Sequence, residues 1–386
     1  MTQPGFLIVS PYLPELGAGG SKILQDLLSD FPSENLFWAS MWGPHNYSPS
    51  WRKEIPRQFY PFPFRLHRFR FISLLERTLS RFLFRAFRNR LSEIIREFSP
   101  DFLWLIADAN NIRMLYQISS FFNSIPVHLS IHDDPLLLVS KLGIFPPDKR
   151  KNDEYFRGLL NNAASVDSVS IRLLEKYAAG KKTAIVTRGV DYENSKVLCS
   201  GAKTVEKKIR IILGGMGQNP PPWPKDLIDG VKLLQSEIPQ QVSFHTFDFT
   251  MPTDGKTFFR EPFVSPEAFD RMLSDFHFGY CCDPFDDFGR EFARTSFSTK
   301  LVTYVVNGLP FLYHGPKDST ANLFLKKYPA GVVVDSHDPR KIADGFKWLI
   351  KNYDRARTAC KEATENEFNL KKIRTNFLNL FLPDRF

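Results

Sequence analysis

The chain has 386 residues, 43% of them apolar and 24% charged, which is the composition of a globular protein large enough for two domains. Its longest apolar stretch, Phe102 to Ala107, is far too short to cross a membrane, and residues 1–10 lack a basic region followed by a long apolar one, so we expect a cytoplasmic protein. The net charge of +9 favours polyanionic partners, namely nucleic acid, an anionic membrane surface or a phosphorylated substrate.

The cysteines and acidic residues do not form a metal-binding pattern. Four cysteines without a Cys-x-x-Cys spacing favour free thiols over disulfides or a zinc site. No Asp-x-Asp motif ends a predicted strand, and the sequence contains no cluster of histidines and cysteines. We therefore expect a protein without a bound metal or other cofactor.

The first half of the chain predicts alternating strands and helices. A buried strand at residues 6–12 leads into a glycine-rich turn, and a helix is expected at residues 22–31. Gly19 and Gly20 in this turn let the backbone approach a phosphate closely, although a tight strand-to-helix turn explains them equally well. Further strands are expected at residues 36–40, 102–107, 126–131, 166–170 and 183–187, helices at 71–98, 112–123, 153–163 and 171–177, and an irregular loop at 41–64. The alternation predicts a parallel sheet covered by helices.

The helix at residues 71–98 concentrates the excess charge. Nine arginines lie between Arg65 and Arg96 against two glutamates, a net charge of +7. At about 100° per residue, a row of apolar side chains ending at Ala86 shares one face of this helix, and a row of arginines shares another. This row of arginines includes Arg77, Arg81, Arg85 and Arg88. It forms either a solvated face or a surface for anionic lipid or a phosphorylated acceptor.

Three polar side chains are expected at the carboxyl ends of neighbouring strands. Asp108 follows the strand at residues 102–107, and His132 and Asp133 follow the strand at residues 126–131. His132 is a candidate catalytic residue, because histidine changes its charge near neutral pH; a structural histidine is the alternative. Asp108 and Asp133 are candidate bases or acceptor ligands, with helix capping as the alternative for Asp108.

A polar linker at residues 192–208 separates the first half from a second series of strands and helices. We expect one domain at residues 1–195 and another at residues 205–367. The first strand of the second domain, at residues 209–213, ends in Gly214 and Gly215. Further strands are expected at residues 241–247 and 276–281, and helices at 225–237, from Ser265 onward, at 339–352 and at 355–368.

Residues 297–334 form the stretch where we expect a ligand. A short helix beginning at Lys300 ends at Gly308, a left-handed residue, and a short buried strand and a second helix follow. The candidate N-cap residues of the two helices are Ser298, Thr299, Ser319 and Thr320. Both helix N-termini are expected at the crevice beyond the carboxyl ends of the strands, where unpaired backbone N–H groups bind anions.

This stretch resembles the nucleotide-sugar half of a GT-B glycosyltransferase, closest to the retaining family-four group. The resemblance runs through Ser298, Lys300, Leu301, Tyr304, Gly308, Pro310 and Gly331. Weaker similarities lie at Gly19-Gly20, at His132-Asp133 and at Gly189-Val190-Asp191. No single motif is specific, so the order and spacing of the motifs carry the resemblance.

The resemblance implies two Rossmann-like α/β domains facing a central cleft, with the last helix, at about residues 368–386, packed back on the first domain. It implies a metal-independent, retaining transfer of a sugar from a nucleotide-sugar donor to a glycan or lipid-linked acceptor, either in the cytoplasm or at the inner face of the membrane. It also places His132 near the donor sugar. The expected donor-binding residues are Gly19, Gly20, Gly214, Gly215, Ser298, Thr299, Lys300, Thr303, Ser319 and Thr320.

The sequence departs from the family pattern at two positions. Thr303 and Thr295 stand where relatives usually carry glutamates, and residues 214–224 contain no cation to hold a diphosphate. Lys300 and Arg294 are the candidate replacements for the missing cations. A degenerate protein that binds nucleotide or a protein partner without turnover is therefore an alternative. A nucleic-acid-binding protein is disfavoured, because the sequence contains no recognition motif.

Overall fold

The structure, a computed structural model, describes residues 3–11, 19–40, 51–59, 70–141, 146–193, 205, 207–214, 224–247, 251–262 and 264–382. The chain divides into two compact units. Unit 1 contains residues 1–186 and 374–386, and unit 2 contains residues 187–373. Each unit is an α/β domain built on one parallel sheet, as the alternating pattern of the sequence predicted.

In the described part of unit 1, seven parallel strands lie in the order β3-β2-β1-β4-β5-β6-β7. The strands are β1 (Phe6–Ser10), β2 (Leu36–Ser40), β3 (Arg57–Phe59), β4 (Phe102–Ala107), β5 (Val127–Ile131), β6 (Ala163–Ser168) and β7 (Lys182–Ile185). The helices are α1 (Gly19–Leu28), α2 (Arg70–Phe98), α3 (Ile112–Phe121), α4 (Pro135–Lys141), α5 (Pro146–Asn162) and α6 (Ile171–Tyr177). Every residue of β1 and β5 is buried, because both faces of a parallel sheet are covered.

Several predicted bounds in unit 1 are confirmed, and three features differ. The strand at residues 102–107 and the helix at residues 171–177 begin and end where the sequence predicted. Helix α1 begins at Gly19, so the two glycines lie in its first turn and not before it. Strand β3 lies inside the segment predicted as an irregular loop, and helix α4 was not predicted.

Helix α2 confirms the predicted helix at residues 71–98, and the one described member of the predicted apolar row differs from the prediction. In the described side chains of its C-terminal part, Phe87, Leu91 and Ile94 are buried, while Ala86 is exposed. The apolar row of residues 87, 91 and 94 follows helical spacing as well as the predicted row does, and packing selects the larger side chains.

In the described part of unit 2, six parallel strands lie in the order β10-β9-β8-β11-β12-β13. The strands are β8 (Lys208–Leu213), β9 (Gln241–Thr246), β10 (Phe258–Arg260), β11 (Phe278–Cys282), β12 (Phe311–His314) and β13 (Gly331–Val334). The helices are α7 (Pro224–Glu237), α8 (Pro266–Leu273), α9 (Asp287–Thr295), α10 (Thr299–Val306), α11 (Thr320–Lys327), α12 (Pro339–Lys351), α13 (Tyr353–Asn366) and α14 (Leu370–Asn379).

Local rules explain the ends of several helices in unit 2. Gly308 follows α10 with a φ of 64°, the left-handed conformation predicted for it. Ser265 caps α8 through its side chain, and Pro266 is the first residue of that helix, again as predicted. Strand β10 and helix α9 were not predicted.

The end of α14 and the residues after it belong to unit 1. Phe377 packs on Trp104 with ring centroids 4.8 Å apart, and Phe381 packs on Phe6 and Phe102 at the same distance. Arg374 donates hydrogen bonds to the carbonyl oxygens of Leu27 and Asp26 at 3.1 and 2.6 Å. Residues near the end of the sequence therefore complete the core beneath the central strands of unit 1.

None of the described helices is both long enough and apolar enough to span a membrane.

Candidate functional site

The sheet of unit 2 reverses its strand order between β8 and β11. Counted in chain order within the unit, the strands lie in the sequence 3-2-1-4-5-6, with β8 first and β11 fourth. In open parallel sheets of this topology, ligands bind beyond the carboxyl ends of the strands at such a reversal. The residues that follow β8 and β11 lie at this reversal.

The hydroxyl of Tyr304 lies between the ends of β8 and β11 at this reversal. Its hydroxyl accepts a hydrogen bond from the N–H of Gly214 at 2.7 Å and lies 3.1 Å from the carbonyl oxygen of Tyr280 and 3.3 Å from that of Ile212. Gly214 follows β8, and a Cβ atom there would lie 2.7 Å from the ring of Phe269. The structure thus explains this glycine by close packing, and the backbone N–H of Gly214 bonds to Tyr304.

The N-terminus of α10 lies beside the end of β11. The thiol of Cys281 is 3.9 Å from the hydroxyl of Ser298, the N-cap residue. The side chain of Ser298 makes no capping hydrogen bond, and the first N–H groups of a helix have no partner within the helix. Lys300, in the first turn, is half-buried. Ser298, Thr299 and Lys300 thus combine unpaired backbone N–H groups with an ammonium group, which together favour an anion.

A carboxyl group lies beside this helix N-terminus. Asp283 follows β11, and its Oδ2 accepts a hydrogen bond from the hydroxyl of Tyr313 at 2.8 Å. Burial raises the pKa of Asp283, while the bond from Tyr313 and the charge of Lys300 oppose this shift. Burial and the neighbouring Asp283 raise the pKa of the Cys281 thiol to about 12, so this thiol is protonated at neutral pH.

The first turn of α11 contributes to the same edge of the sheet. Ser319 caps α11 by accepting a hydrogen bond from the N–H of Asn322 at 3.1 Å. Thr320 is buried, and its hydroxyl donates to the carbonyl oxygens of Ser296 and Ala293. These bonds hold the start of α11 against the residues before α10. Ser319 fulfils the capping role predicted for it.

Thr303, on the second turn of α10, belongs to a buried polar network. Its hydroxyl donates to the carbonyl oxygen of Thr299 at 2.8 Å and accepts a hydrogen bond from Arg188. Arg188 is 7% exposed and forms an ion pair with Asp270 at 2.5 Å. The position where relatives usually carry a glutamate therefore holds a hydroxyl paired with a guanidinium group.

Unit 1 places the predicted catalytic residues on its own carboxyl edge. Ala107 at the end of β4 pairs in register with Ile131 at the end of β5. Asp108 and His132, the next residues in the chain, therefore follow two neighbouring strands at the same edge of the sheet. His132 is buried, and burial lowers its pKa, with Asp167 and Asp133 opposing the shift. The imidazole of His132 is therefore neutral at neutral pH.

Two acidic side chains on this edge, those of Asp108 and Asp134, accept hydrogen bonds from residues that follow them in the chain. Asp108 accepts hydrogen bonds from the backbone and side-chain nitrogens of Asn110 at 3.0 and 2.8 Å. Asp134, which is 1% exposed, accepts bonds from Leu137 N–H at 3.0 Å and from Lys176 at 2.7 Å. Asp108 forms a turn before α3 but does not cap that helix, whose N-cap residue is Asn111, whereas Asp134 caps α4.

The remaining candidates are only partly described. Gly19 and Gly20 form the start of α1, which is the helix N-terminus after β1. Gly215 and the side chains of Arg77 and Arg81 lie outside the described residues. Arg85 is exposed, and the guanidinium of Arg88 lies 4.6 Å from the ring centre of Phe121, which is 49% exposed.

The sequence did not predict Asp283, Arg188 and Asp270 as candidate site residues. Asp283 follows a predicted strand as directly as Asp133 does, so its position was the available signal. Arg188 and Asp270 are 82 residues apart in sequence, and no sequence pattern pairs them. Within the described ranges, no group of three histidine, cysteine or acidic side chains is placed to hold a metal ion.

Solved structures share the fold of this chain. No model of a known protein family matches the sequence, and no curated protein matches it. Sucrose-phosphate synthase from Thermosynechococcus elongatus is 12% identical, with 98% of each chain covered and a TM-score of 0.65. HepE from Anabaena in complex with UDP is 14% identical, with 98% of this chain and 99% of that chain covered and a TM-score of 0.62. A glycosyltransferase from Rickettsia africae is 12% identical, with 98% of each chain covered and a TM-score of 0.65. The chain therefore has the fold of the GT-B glycosyltransferases, as the resemblance predicted.

Proposed function

We propose that this protein is a glycosyltransferase that uses a nucleotide-sugar donor. The observation that carries the proposal is the N-terminus of α10, where a helix start without a side-chain cap and the ammonium of Lys300 lie beside the end of β11. HepE, which shares the fold, has been crystallised with UDP, with UDP and glucose, and with UDP-glucose. A diphosphate is one of the anionic groups that such a helix start can bind.

The chemistry of the site suits the departure of a diphosphate. Transfer requires that the leaving phosphate be neutralised while an acceptor hydroxyl reaches the anomeric carbon of the sugar. Lys300 and the N–H groups of Thr299 and Lys300 supply positive potential without a metal ion. We propose a metal-independent reaction on this basis, and we propose retention of configuration on the family resemblance alone.

We propose that His132 contacts the transferred sugar or the acceptor. Its neutral imidazole can donate or accept a hydrogen bond, and Asp133 lies next to it in the chain. His132→Ala should lower kcat by at least about tenfold, with donor affinity changed less, because its proposed role is not at the phosphates. A fall in donor affinity equal to the fall in kcat would contradict this role.

The acceptor is proposed to be a glycan or lipid-linked molecule at an anionic membrane surface. Arg88 on α2 lies near the exposed ring of Phe121, and Arg85 on the same helix is exposed. Each basic residue near an anionic surface contributes about 1 kcal/mol. Replacement of Arg77, Arg81, Arg85 and Arg88 by Gln should reduce sedimentation with vesicles containing anionic lipid, or raise the KM of the acceptor. Unchanged sedimentation and unchanged KM would identify a solvated face.

The test of the proposed function begins with ligands. Thermal unfolding of the full chain should be measured with UDP-, GDP- and ADP-sugars, because a ligand that binds only the folded state raises Tm. Any stabilising donor is then incubated with acceptors, and the release of nucleoside diphosphate is measured. If no donor on a broad panel is bound or consumed, the proposal is wrong.

A protein that binds the donor without turnover is the second candidate. The hydroxyl of Thr303 bonds to Arg188 and to the carbonyl of Thr299, and the hydroxyl of Thr295 bonds to the carbonyl of Glu291 at 2.9 Å. Neither position supplies the carboxylate usual in the family. A donor that raises Tm but releases no diphosphate or free sugar with any acceptor would favour this candidate.

A further inference from the structure

Asp283 places a carboxyl group where the proposed site binds an anion. It follows β11, the strand whose Cys281 contacts Ser298 at the start of α10. Its N–H donates to the carbonyl oxygen of His314 at 3.0 Å, and its Oδ2 accepts the hydroxyl of Tyr313. Both bonds tie Asp283 to β12, so the carboxyl group is fixed and cannot swing away from the site.

Among the described residues, charged or titratable groups on three elements act on Asp283. Lys300 on α10 is the cation that acts on it, Tyr313 on β12 donates to it, and the thiol of Cys281 on β11 lies nearby. The pKa of Tyr313 is raised well above its ordinary value and that of Cys281 to about 12, so both are neutral at neutral pH. At Ser319, α11 contributes a hydroxyl near Tyr313. Asp283 and Lys300 therefore set the local charge.

One ammonium group cannot neutralise both a carboxylate and a diphosphate. In the free protein, the positive charge of Lys300 acts on the carboxyl group of Asp283 and on the thiol of Cys281, which is protonated at neutral pH. When a diphosphate occupies the start of α10, Lys300 faces two anions, and the two anions repel each other across a partly buried site of low dielectric constant. Protonation of the carboxyl group removes this repulsion and leaves Tyr313 able to donate to Oδ2.

We propose that Asp283 takes up a proton from solvent when a donor diphosphate binds at the start of α10, so that donor affinity falls as pH rises. This inference rests on the proposed function, because it assumes that the diphosphate binds at this helix N-terminus. It makes Asp283 a determinant of donor affinity and makes the site sensitive to acid–base conditions.

The sign of the effect follows from linkage. Burial already raises the pKa of Asp283 in the free protein, and a bound diphosphate raises it further because it is a second negative charge. Between the free and bound pKa values, binding takes up one proton, so affinity weakens by up to about tenfold for each pH unit. Below the pKa of the free protein, affinity does not change with pH.

The experiment measures the Kd of UDP-glucose, the ligand of HepE, between about pH 4.5 and 8. The diphosphate of this probe is esterified at both ends and has no proton to lose in that range. Asp283→Asn keeps an acceptor for Tyr313 but cannot ionise. Asp335→Asn is the matched control, because Asp335 follows β13 on the same edge of the sheet and is exposed.

We expect the wild type and Asp335→Asn to lose affinity as pH rises, and Asp283→Asn to show constant affinity, at least about tenfold tighter than the wild type at pH 8. Equal pH profiles for wild type and Asp283→Asn would overturn the inference. Failure of the wild type to bind at every pH would instead overturn the proposed function on which it rests.

Calorimetry of the wild type provides a second measurement that needs no variant. Titration with UDP-glucose in two buffers of different ionisation enthalpy gives the number of protons taken up on binding. Uptake of a proton in the range where affinity falls supports the inference. Binding without proton exchange across this range overturns it, even if Asp283→Asn does not fold.

Discussion

The carboxyl edges of the two sheets have the same topology but different chemistry. In unit 1, Asp108 and Asp134 accept hydrogen bonds from their own loops, and Asp134 also pairs with Lys176. In unit 2, the helix start at Ser298 has no side-chain cap, and Lys300 lies beside it. In this comparison, Asp134 stabilises the start of α4 in unit 1, while the start of α10 in unit 2 has no side-chain cap.

This difference separates two kinds of helix start. An aspartate that caps the next helix stabilises the fold, and its removal lowers stability. A helix N-terminus without a side-chain cap has the opposite property, because its N–H groups gain a partner only when an anion binds. The two edges should therefore respond differently to substitution.

Lys300→Ala, at the start of α10 in unit 2, should have the largest effect of the substitutions, and the effect should be on catalysis. Removal of a group that stabilises a leaving phosphate typically lowers the rate by about a hundredfold or more, so kcat with a nucleotide sugar should fall by that factor. Lys361→Ala on the exposed surface of α13 is the control and should leave kcat unchanged. If both variants behave alike, Lys300 is a solvated helix residue and the comparison fails.

Asp134→Ala, at the carboxyl edge of the sheet in unit 1, should lower stability. It removes the cap of α4 and leaves Lys176 without its carboxylate, so we expect a loss of about 2 kcal/mol in the free energy of unfolding. Donor affinity measured where the variant is folded should stay the same. A loss of affinity without a loss of stability would show that the unit 1 edge binds the donor through Asp134.

Tyr304→Phe tests the hydrogen bond between Gly214 N–H and the Tyr304 hydroxyl, at the reversal of strand order in unit 2. The substitution leaves the buried N–H of Gly214 without its acceptor, so chemical denaturation should show a loss of about 1–2 kcal/mol. Tyr328→Phe is the control, because the hydroxyl of Tyr328 bonds to Glu367, which is partly exposed to water. Equal losses in the two variants would mean that the Gly214 N–H finds another partner.

Asp283→Asn should change stability by the smallest amount and only at some pH values. Burial raises the pKa of Asp283, so the folded state binds a proton there more tightly than the unfolded chain does. This contribution is fully present below the ordinary carboxyl pKa and is lost as pH rises through the raised value. The Tm of the variant should therefore exceed that of the wild type at about pH 7 and match it at about pH 3. The same difference at both pH values would exclude titration of Asp283 as its cause.

Patterns confined to neighbouring residues were readable from the sequence. The strand at Phe102–Ala107 is a short apolar run, the cap at Ser265 precedes a proline, and Gly308 ends a helix, so each was predicted from local rules. Strands β3 and β10 were missed because three residues are too few to show an alternation. Helix α9 was not predicted because the cap residue Asp286 lies in a run of charged residues that does not look like a helix start.

Contacts between distant residues were not readable. The bond from Tyr313 to Asp283 depends on the register of β11 against β12, which pairs Cys281 with Tyr313 and Cys282 with His314. Several registers fit the apolar pattern of strands buried on both faces, because neither face is marked by polar residues. The candidate ligand residues on α10 were therefore predicted, while the carboxyl group beside them was not.

The position of the end of α14 determines when the core of unit 1 can be completed during synthesis. The ribosome makes residues 374–382 after all of unit 2, yet Phe377 and Phe381 pack on Phe6 and Trp104 in the core of unit 1. The N-terminal unit of a growing chain is therefore incomplete, with an apolar surface uncovered, throughout the translation of unit 2. Most of unit 1 is thus synthesised before unit 2 but completed after it, and until then its core lacks the side chains of Phe377 and Phe381.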